Sequence, residues 1–286
     1  MLVIIGYIIV AVSVLGGYAL HGGSLGALFQ PFELLIIAGA ALGAFVCGNS
    51  SKVVKATLAS LPTTLHGSKF SKQRYLDLLA LLYEILNRVR REGLMSIEAD
   101  VEEPANSPLF QKYPTLLADH HLIEFVTDYL RLMVSGNLNP LELEALMDQE
   151  IDTHHHEALI PAGAIQRIAD GLPAFGIVAA VTGVVNVMGS VGEPPAILGG
   201  KIGAALVGTF VGILLAYGVV GPLASVIEQK ASESGKQFEC IKVALLASLN
   251  GYAPALAVEF GRKVLFSTER PTFAELEDTV RGKSAA

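Results

Sequence analysis

Residues 171–192 read GLPAFGIVAAVTGVVNVMGSVG, and after a short break residues 202–227 read IGAALVGTFVGILLAYGVVGPLASVI. Neither stretch contains an Asp, Glu, Lys or Arg. A helix needs ~20 apolar residues to cross the ~30 Å hydrocarbon core of a bilayer, and it must satisfy its own backbone N–H and C=O groups there. Both stretches qualify. Nearer the N-terminus, Met1 to Phe32 and Leu34 to Ser51 are also free of these charged residues. The first has no basic flank and a second apolar run follows almost at once, so the pair reads as a retained helical hairpin rather than a cleaved leader.

Composition agrees with a membrane class. Of 286 residues, 52% are hydrophobic and only 16% charged, and the mean hydropathy is +0.52. The expected fold class is all-α: a polytopic membrane protein with four transmembrane helices and a helical cytoplasmic domain. The helices are placed at 1–20, 33–50, 171–191 and 201–223, the cytoplasmic domain at 51–170, and a helical tail at 224–286. Within the domain, Tyr75, Leu78, Leu79, Leu82, Leu86 and Val89 recur at three- and four-residue steps, as do Leu122, Phe125, Val126, Tyr129, Leu130 and Met133. Asn139, Pro140 and Glu142 then open a further helix expected to end near the histidines at 154–156. Acidic residues outnumber basic ones in this domain and carry much of the net charge of −7. That excludes nucleic acid, whose phosphates need a clustered basic face. Proteins and membrane lipid are the expected partners.

Orientation follows from lysine and arginine. The loop from His21 to Glu33 has neither, whereas Lys52, Lys55 and Lys69 follow the second apolar stretch, Arg167 precedes the third, and Lys230, Lys236 and Lys242 follow the fourth. The positive-inside rule places both termini and the large domain in the cytoplasm. Val243 to Val258 is also uncharged but short, with Asn250, Gly251 and Pro254 in it, so it reads as a buried cytoplasmic helix and turn. Cys47 and Cys240 lack CxxC spacing and predict no disulfide. Gly39 with Gly43, Gly199 with Gly203 and Gly208 with Gly212 have the spacing that lets membrane helices approach closely.

The third and fourth apolar stretches hold Thr182, Asn186, Thr209 and Tyr217 but no ionisable carboxylate, imidazole or amine. Ion-coupled membrane proteins ordinarily carry such a group in the bilayer. Either this chain is not ion-coupled, or another protein supplies the group. Pro173 and Pro222, near one end of each stretch, each remove a helix hydrogen bond and read as hinges at the cytoplasmic side. His154, His155 and His156, near Asp152 and Glu157, are metal-binding residue types, but consecutive helical positions diverge by about 100° and HExxH is missing. They read as a surface cluster with no metal.

Long stretches resemble the MotA-type stator subunits of bacterial flagellar motors, within the MotA/TolQ/ExbB proton channel family. They are GGYALHGGSLGALFQPFELLIIAGA at 16–40, DLLALLY at 77–83, FVTDYLRLMVSGNLNPLELEALMDQEI at 125–151, LPAFGIVAAV at 172–181, LVGTFVGILLAYG at 206–218, NGYAPALAVEFGRK at 250–263 and ERPTFAELE at 269–277. The resemblance implies a non-enzymatic motor subunit with no cofactor, forming a homo-pentamer around two copies of a MotB-like single-span partner that supplies a membrane Asp. It places Thr209 and Ala180 along the ion pathway with Tyr217 further toward the cytoplasm. Sodium-driven relatives have a threonine where Ala180 stands, so the transported ion is expected to be a proton, with sodium disfavoured. Arg90 and Glu98 match the residues that contact a FliG-like rotor protein, although Arg88 and Arg91 crowd the same turn. An ExbB- or TolQ-like energising subunit for outer-membrane transport is the alternative.

Overall fold

The computed structural model describes residues 2–65, 67–136 and 139–282. No strand occurs among them, and four helices are long and apolar enough to cross a membrane. The helices used below are α1 (Leu2–Leu20), α2 (Pro31–Cys47), α3 (Ser51–Ser60), α4 (Lys72–Glu92), α5 (His120–Ser135), α6 (Pro140–Met188), α7 (Pro195–Leu249), α8 (Pro254–Lys263) and α9 (Phe273–Val280). Short helical turns connect α4 to α5.

Local sequence sets most helix ends. Pro31 opens α2 at a position where a missing N–H costs nothing. Ser50, Ser71 and Asp119 cap α3, α4 and α5 with side-chain oxygens that accept from Val53, Arg74 and Leu122. α5 stops at Gly136, whose φ of +70° is left-handed and strained for any side chain. At the start of α6 the Glu142 N–H donates to Asn139 at 2.9 Å, and the Asn139 N–H donates to the Glu142 carboxylate at 3.2 Å.

α6 does not end near the histidines. It continues for 49 residues to Met188, with Pro161 and Pro173 inside it. Gly163 and Gly171 keep negative φ, so no left-handed residue stops the helix, and each proline removes a single backbone donor. α7 likewise runs past the end of its apolar stretch to Leu249.

Two compact units result, Met1–Gly67 with Ala158–Gln229, and Ser68–Glu157 with Lys230–Ala286. Residues 51–67, 158–170 and 224–229, assigned from charge to the cytoplasmic parts, therefore cluster with the apolar helices. The packing reason is a small core of Ala162, Ile165, Ala224 and Ile227, joined by Leu61.

In the first unit, α6 and α7 meet through small residues. A Cβ on Gly176 would lie 2.8 Å from the Gly208 carbonyl, one on Gly212 would lie 2.8 Å from the Leu172 carbonyl, and one on Gly183 would lie 2.7 Å from the Ala205 Cβ. Only glycine admits backbones this close. Of the glycine pairs picked out by spacing, Gly208 and Gly212 lie in this seam. Gly39, Gly43, Gly199 and Gly203 have nothing within 4 Å of a built Cβ, so spacing alone did not identify the contact.

The second unit has a conventional core. Leu78, Leu79, Leu82, Leu86, Leu122, Val126 and Leu130 are all at most 1% exposed. Ala244, Leu245, Ala257 and Val258 join them, so residues 243–258 form a buried helix end, a turn at Gly251 and the start of α8. Arg74 ties three elements together: its guanidinium donates to Asp119 at 2.6 Å and Gln237 at 3.2 Å.

Candidate functional site

Ala180 is buried in the α6–α7 seam, where its backbone nitrogen would lie 3.2 Å from a Cβ on Gly208. Thr209 follows that glycine, half-buried, with its Cα 3.3 Å from a Cβ built on Gly176. The fold thus brings the two residues to one stretch of the seam. Thr182, two residues and about 200° from Ala180, is exposed and donates its hydroxyl to the Val178 carbonyl at 2.8 Å. Its hydroxyl is occupied within its own helix. Tyr217 is 68% exposed, eight residues and roughly 12 Å beyond Thr209 along α7.

Tyr217 lies within a wider π-helical turn, Ala216–Val220, closed by the Gly221 N–H donating to the Ala216 carbonyl. Pro222 follows directly and has no N–H to offer, so the helical ladder is loosened twice in succession. The Tyr7 hydroxyl of α1 donates to the Val219 carbonyl at 2.9 Å, satisfying an acceptor in the loosened turn. Neither the turn nor this bond was visible in the apolar pattern, because both depend on what packs against α7. Pro173 removes the donor that the Ala169 carbonyl would otherwise use and adjoins Leu172, whose carbonyl meets Gly212.

The crowded arginines separate by geometry. Arg88 donates to Asp100 at 2.6 Å and Glu92 at 3.4 Å, and the Ser107 hydroxyl donates to the other oxygen of the buried Asp100 at 2.6 Å. Glu102 pairs with Arg131 at 3.0 Å. Arg90, Arg91 and Glu98 are exposed and form no ion pair among the described residues. Among the described residues Arg90 and Arg91 are therefore exposed and outside any ion pair, whereas Arg88 is engaged with Asp100.

The histidines are not a simple surface cluster. His156 is exposed, 3.5 Å from Asp152, but His154 is turned inward against Phe238, with ring centroids 4.6 Å apart. His121 meets it edge-on at 6.2 Å. The His154 Nδ1 is buried without a hydrogen-bond partner. Burial, reinforced by His121, pushes the His154 pKa below its ordinary value. No group of three or more metal-ligating side chains comes together among the described residues.

Residues 4–93 match the family Motility protein A N-terminal, and residues 118–240 match the MotA/TolQ/ExbB proton channel family. The chain is 54% identical over 281 residues to motility protein A of Escherichia coli strain K12, covering 98% of this chain and 95% of that protein. Its fold is similar to the structure of C. jejuni MotAB, with a TM-score of 0.76, 20% identity, and coverage of 93% and 95% of the two chains. It also resembles the flagellar MotAB stator complex from Bacillus subtilis, with a TM-score of 0.72, 24% identity, and coverage of 90% and 92%. The chain, matched almost end to end and sharing this fold, belongs to the motility protein A branch of the MotA/TolQ/ExbB proton channel family.

Proposed function

We infer that the chain is a stator subunit of a bacterial flagellar motor and that, with a MotB-like single-span partner, it forms a proton-conducting complex that converts proton motive force into torque. The observation that carries this is the near full-length identity to a motility protein. The α6–α7 seam adds a reason for the partner, because it lacks an ionisable group and the partner's membrane Asp would complete the path. The energising-subunit alternative is less favoured: these similarities extend over nearly the whole chain and lead to motility proteins and stator complexes.

The finer parts of the proposal follow the chemistry. The subunits form a pentamer around two partner chains in the inner membrane, with both termini and the large helical domain cytoplasmic. Thr209 and Ala180 border the ion path and Tyr217 lies toward its cytoplasmic end. Ala180 lacks the hydroxyl that would help replace water around sodium, which favours protons. A proton entering from the periplasm neutralises the partner's Asp, the ring shifts around the partner with Pro173 and Pro222 bending, and release to the cytoplasm resets the step. The membrane potential supplies about 2.3 kcal/mol per charge for each 100 mV, enough to bias a two-state element more than tenfold. Arg90 and Glu98, exposed and in no ion pair among the described residues, face a FliG-like rotor protein.

The test is swimming of a stator-null strain carrying this chain with its cognate partner, or with the partner's membrane Asp changed to Asn, while sodium and the proton gradient vary independently. Swimming is expected to require the Asp and to stop when a protonophore collapses the gradient. Swimming that follows sodium overturns the reading of Ala180, and no swimming by a well-expressed pair overturns the motor reading.

A further inference from the structure

We propose that Tyr7 is a positioning residue for the ion-driven step: its hydroxyl, donated to the Val219 carbonyl, latches the π-helical turn Ala216–Val220 in the wide form that aims Tyr217. This rests on the reading of Tyr217 and Pro222 given above. The side of α1 that packs on the protein is narrow. Val3, Tyr7, Val10 and Val14 are half-buried at three- and four-residue steps, while Ile4, Ile5, Ile8 and Ile9 between them are exposed. Valine and phenylalanine would serve a stripe that only packs, and a phenol in hydrocarbon costs free energy unless its O–H has an acceptor. The Tyr7 hydroxyl has one, the Val219 carbonyl at 2.9 Å. Three residues further along α1, Val10 reaches the adjacent position of α7: a Cβ on Gly218 would lie 3.0 Å from the Val10 Cγ1. α1 thus grips two consecutive residues of the turn, one by close packing and one by a hydrogen bond.

The turn is where α7 has two forms open to it. A π-helical turn holds one residue more than an α-helical turn, so converting one into the other rotates the side chains before it by about 100° relative to those after it. Pro222 favours the wide form, because its ring crowds the carbonyl four residues earlier, that of Gly218, and brings no N–H to it. Tyr217 lies inside the turn and Thr209 before it, so the angle between the two along α7 depends on whether the extra residue is present. A neutral hydrogen bond biases such a two-state turn by about fivefold. That is enough to hold the wide form at rest, and weak enough to yield when a proton crosses the membrane potential.

The experiment uses the intact complex of this chain with its single-span partner, in a stator-null strain for torque and solubilised for amide hydrogen exchange. The unaltered complex is compared with three others: Tyr7→Phe; para-aminophenylalanine in place of Tyr7, which keeps a donor at the same point; and Val10→Ala, which thins the packing and leaves the donor. Tyr7→Phe is expected to assemble normally, to exchange the amides of residues 216–223 about fivefold faster, and to lose about twofold in torque at high load. The para-amino ring is expected to restore both, and Val10→Ala to leave exchange at the turn unchanged. Unaltered exchange or unaltered torque in Tyr7→Phe overturns the latch, as does loss of its assembly or a para-amino complex that behaves like it. Equal effects of Val10→Ala and Tyr7→Phe also overturn it, since packing then accounts for both. Failure of the unaltered, well-expressed complex to drive swimming overturns the motor reading, which is thereby tested apart from the variants.

Discussion

His154 shows how one side chain couples packing to pH. Its ring packs at a tilt against Phe238, its Nδ1 is buried without a hydrogen-bond partner among the described residues, and burial holds its pKa below the ordinary histidine value. The unfolded chain therefore takes up this proton before the folded one does. The resulting stability is full above about pH 6.5, falls as pH drops through the unfolded pKa, and levels off below the folded pKa. We predict that the thermal stability of the solubilised complex falls between pH 7 and pH 5.5, and that His154→Leu flattens the decline. An unchanged slope in the variant would assign the pH response to other groups. The same scale resolves the arginines: Arg88 and Arg90 are equivalent as letters, but Arg88 holds a buried Asp100 and Arg90 is exposed.

Among the helices, the α6–α7 seam is the most demanding contact. Gly176 and Gly212 stand where a Cβ would come within 2.8 Å of backbone carbonyls, and a backbone cannot step aside as a flexible side chain can. Gly176→Ala and Gly212→Ala should each destabilise the complex by about 1–3 kcal/mol and reduce swimming, the range for overpacked sites. Gly39→Ala and Gly43→Ala, which meet open space in the chain, should be near neutral by the same thermal assay. Equal losses at all four positions would mean that the outward glycines are also packed in the assembly. The loosened turn at Ala216–Val220 belongs to this scale too, since Tyr7 satisfies a carbonyl there from another helix.

For the whole molecule, the absence of carboxylates, imidazoles and amines from the third and fourth apolar stretches is the main functional constraint. A chain without a protonatable group in its ion path should not conduct alone. Expressed without the partner, it is expected to add no proton leak to inverted membrane vesicles followed by a pH-sensitive dye. Co-expressed with a partner whose membrane Asp is intact, it should add one that Asp→Asn abolishes. A leak from the chain alone would place a proton path within it and remove the need for the partner's carboxylate.

Sequence by itself determined the helical membrane class, the four long apolar helices and the resemblance to stator subunits, because hydrophobic runs and their breaks are local properties of the chain. It also identified Asn139 with Glu142 as a helix start, since a capping pair acts within a few residues. Tertiary structure decided that α6 continues through Pro161 and Pro173, that Gly176 and Gly183 share the seam with Gly208 and Gly212, that His154 turns inward, and that Arg88 pairs internally while Arg90 is exposed. Each of these depends on what lies across the fold from a residue, and distance in space is not encoded in spacing along the chain.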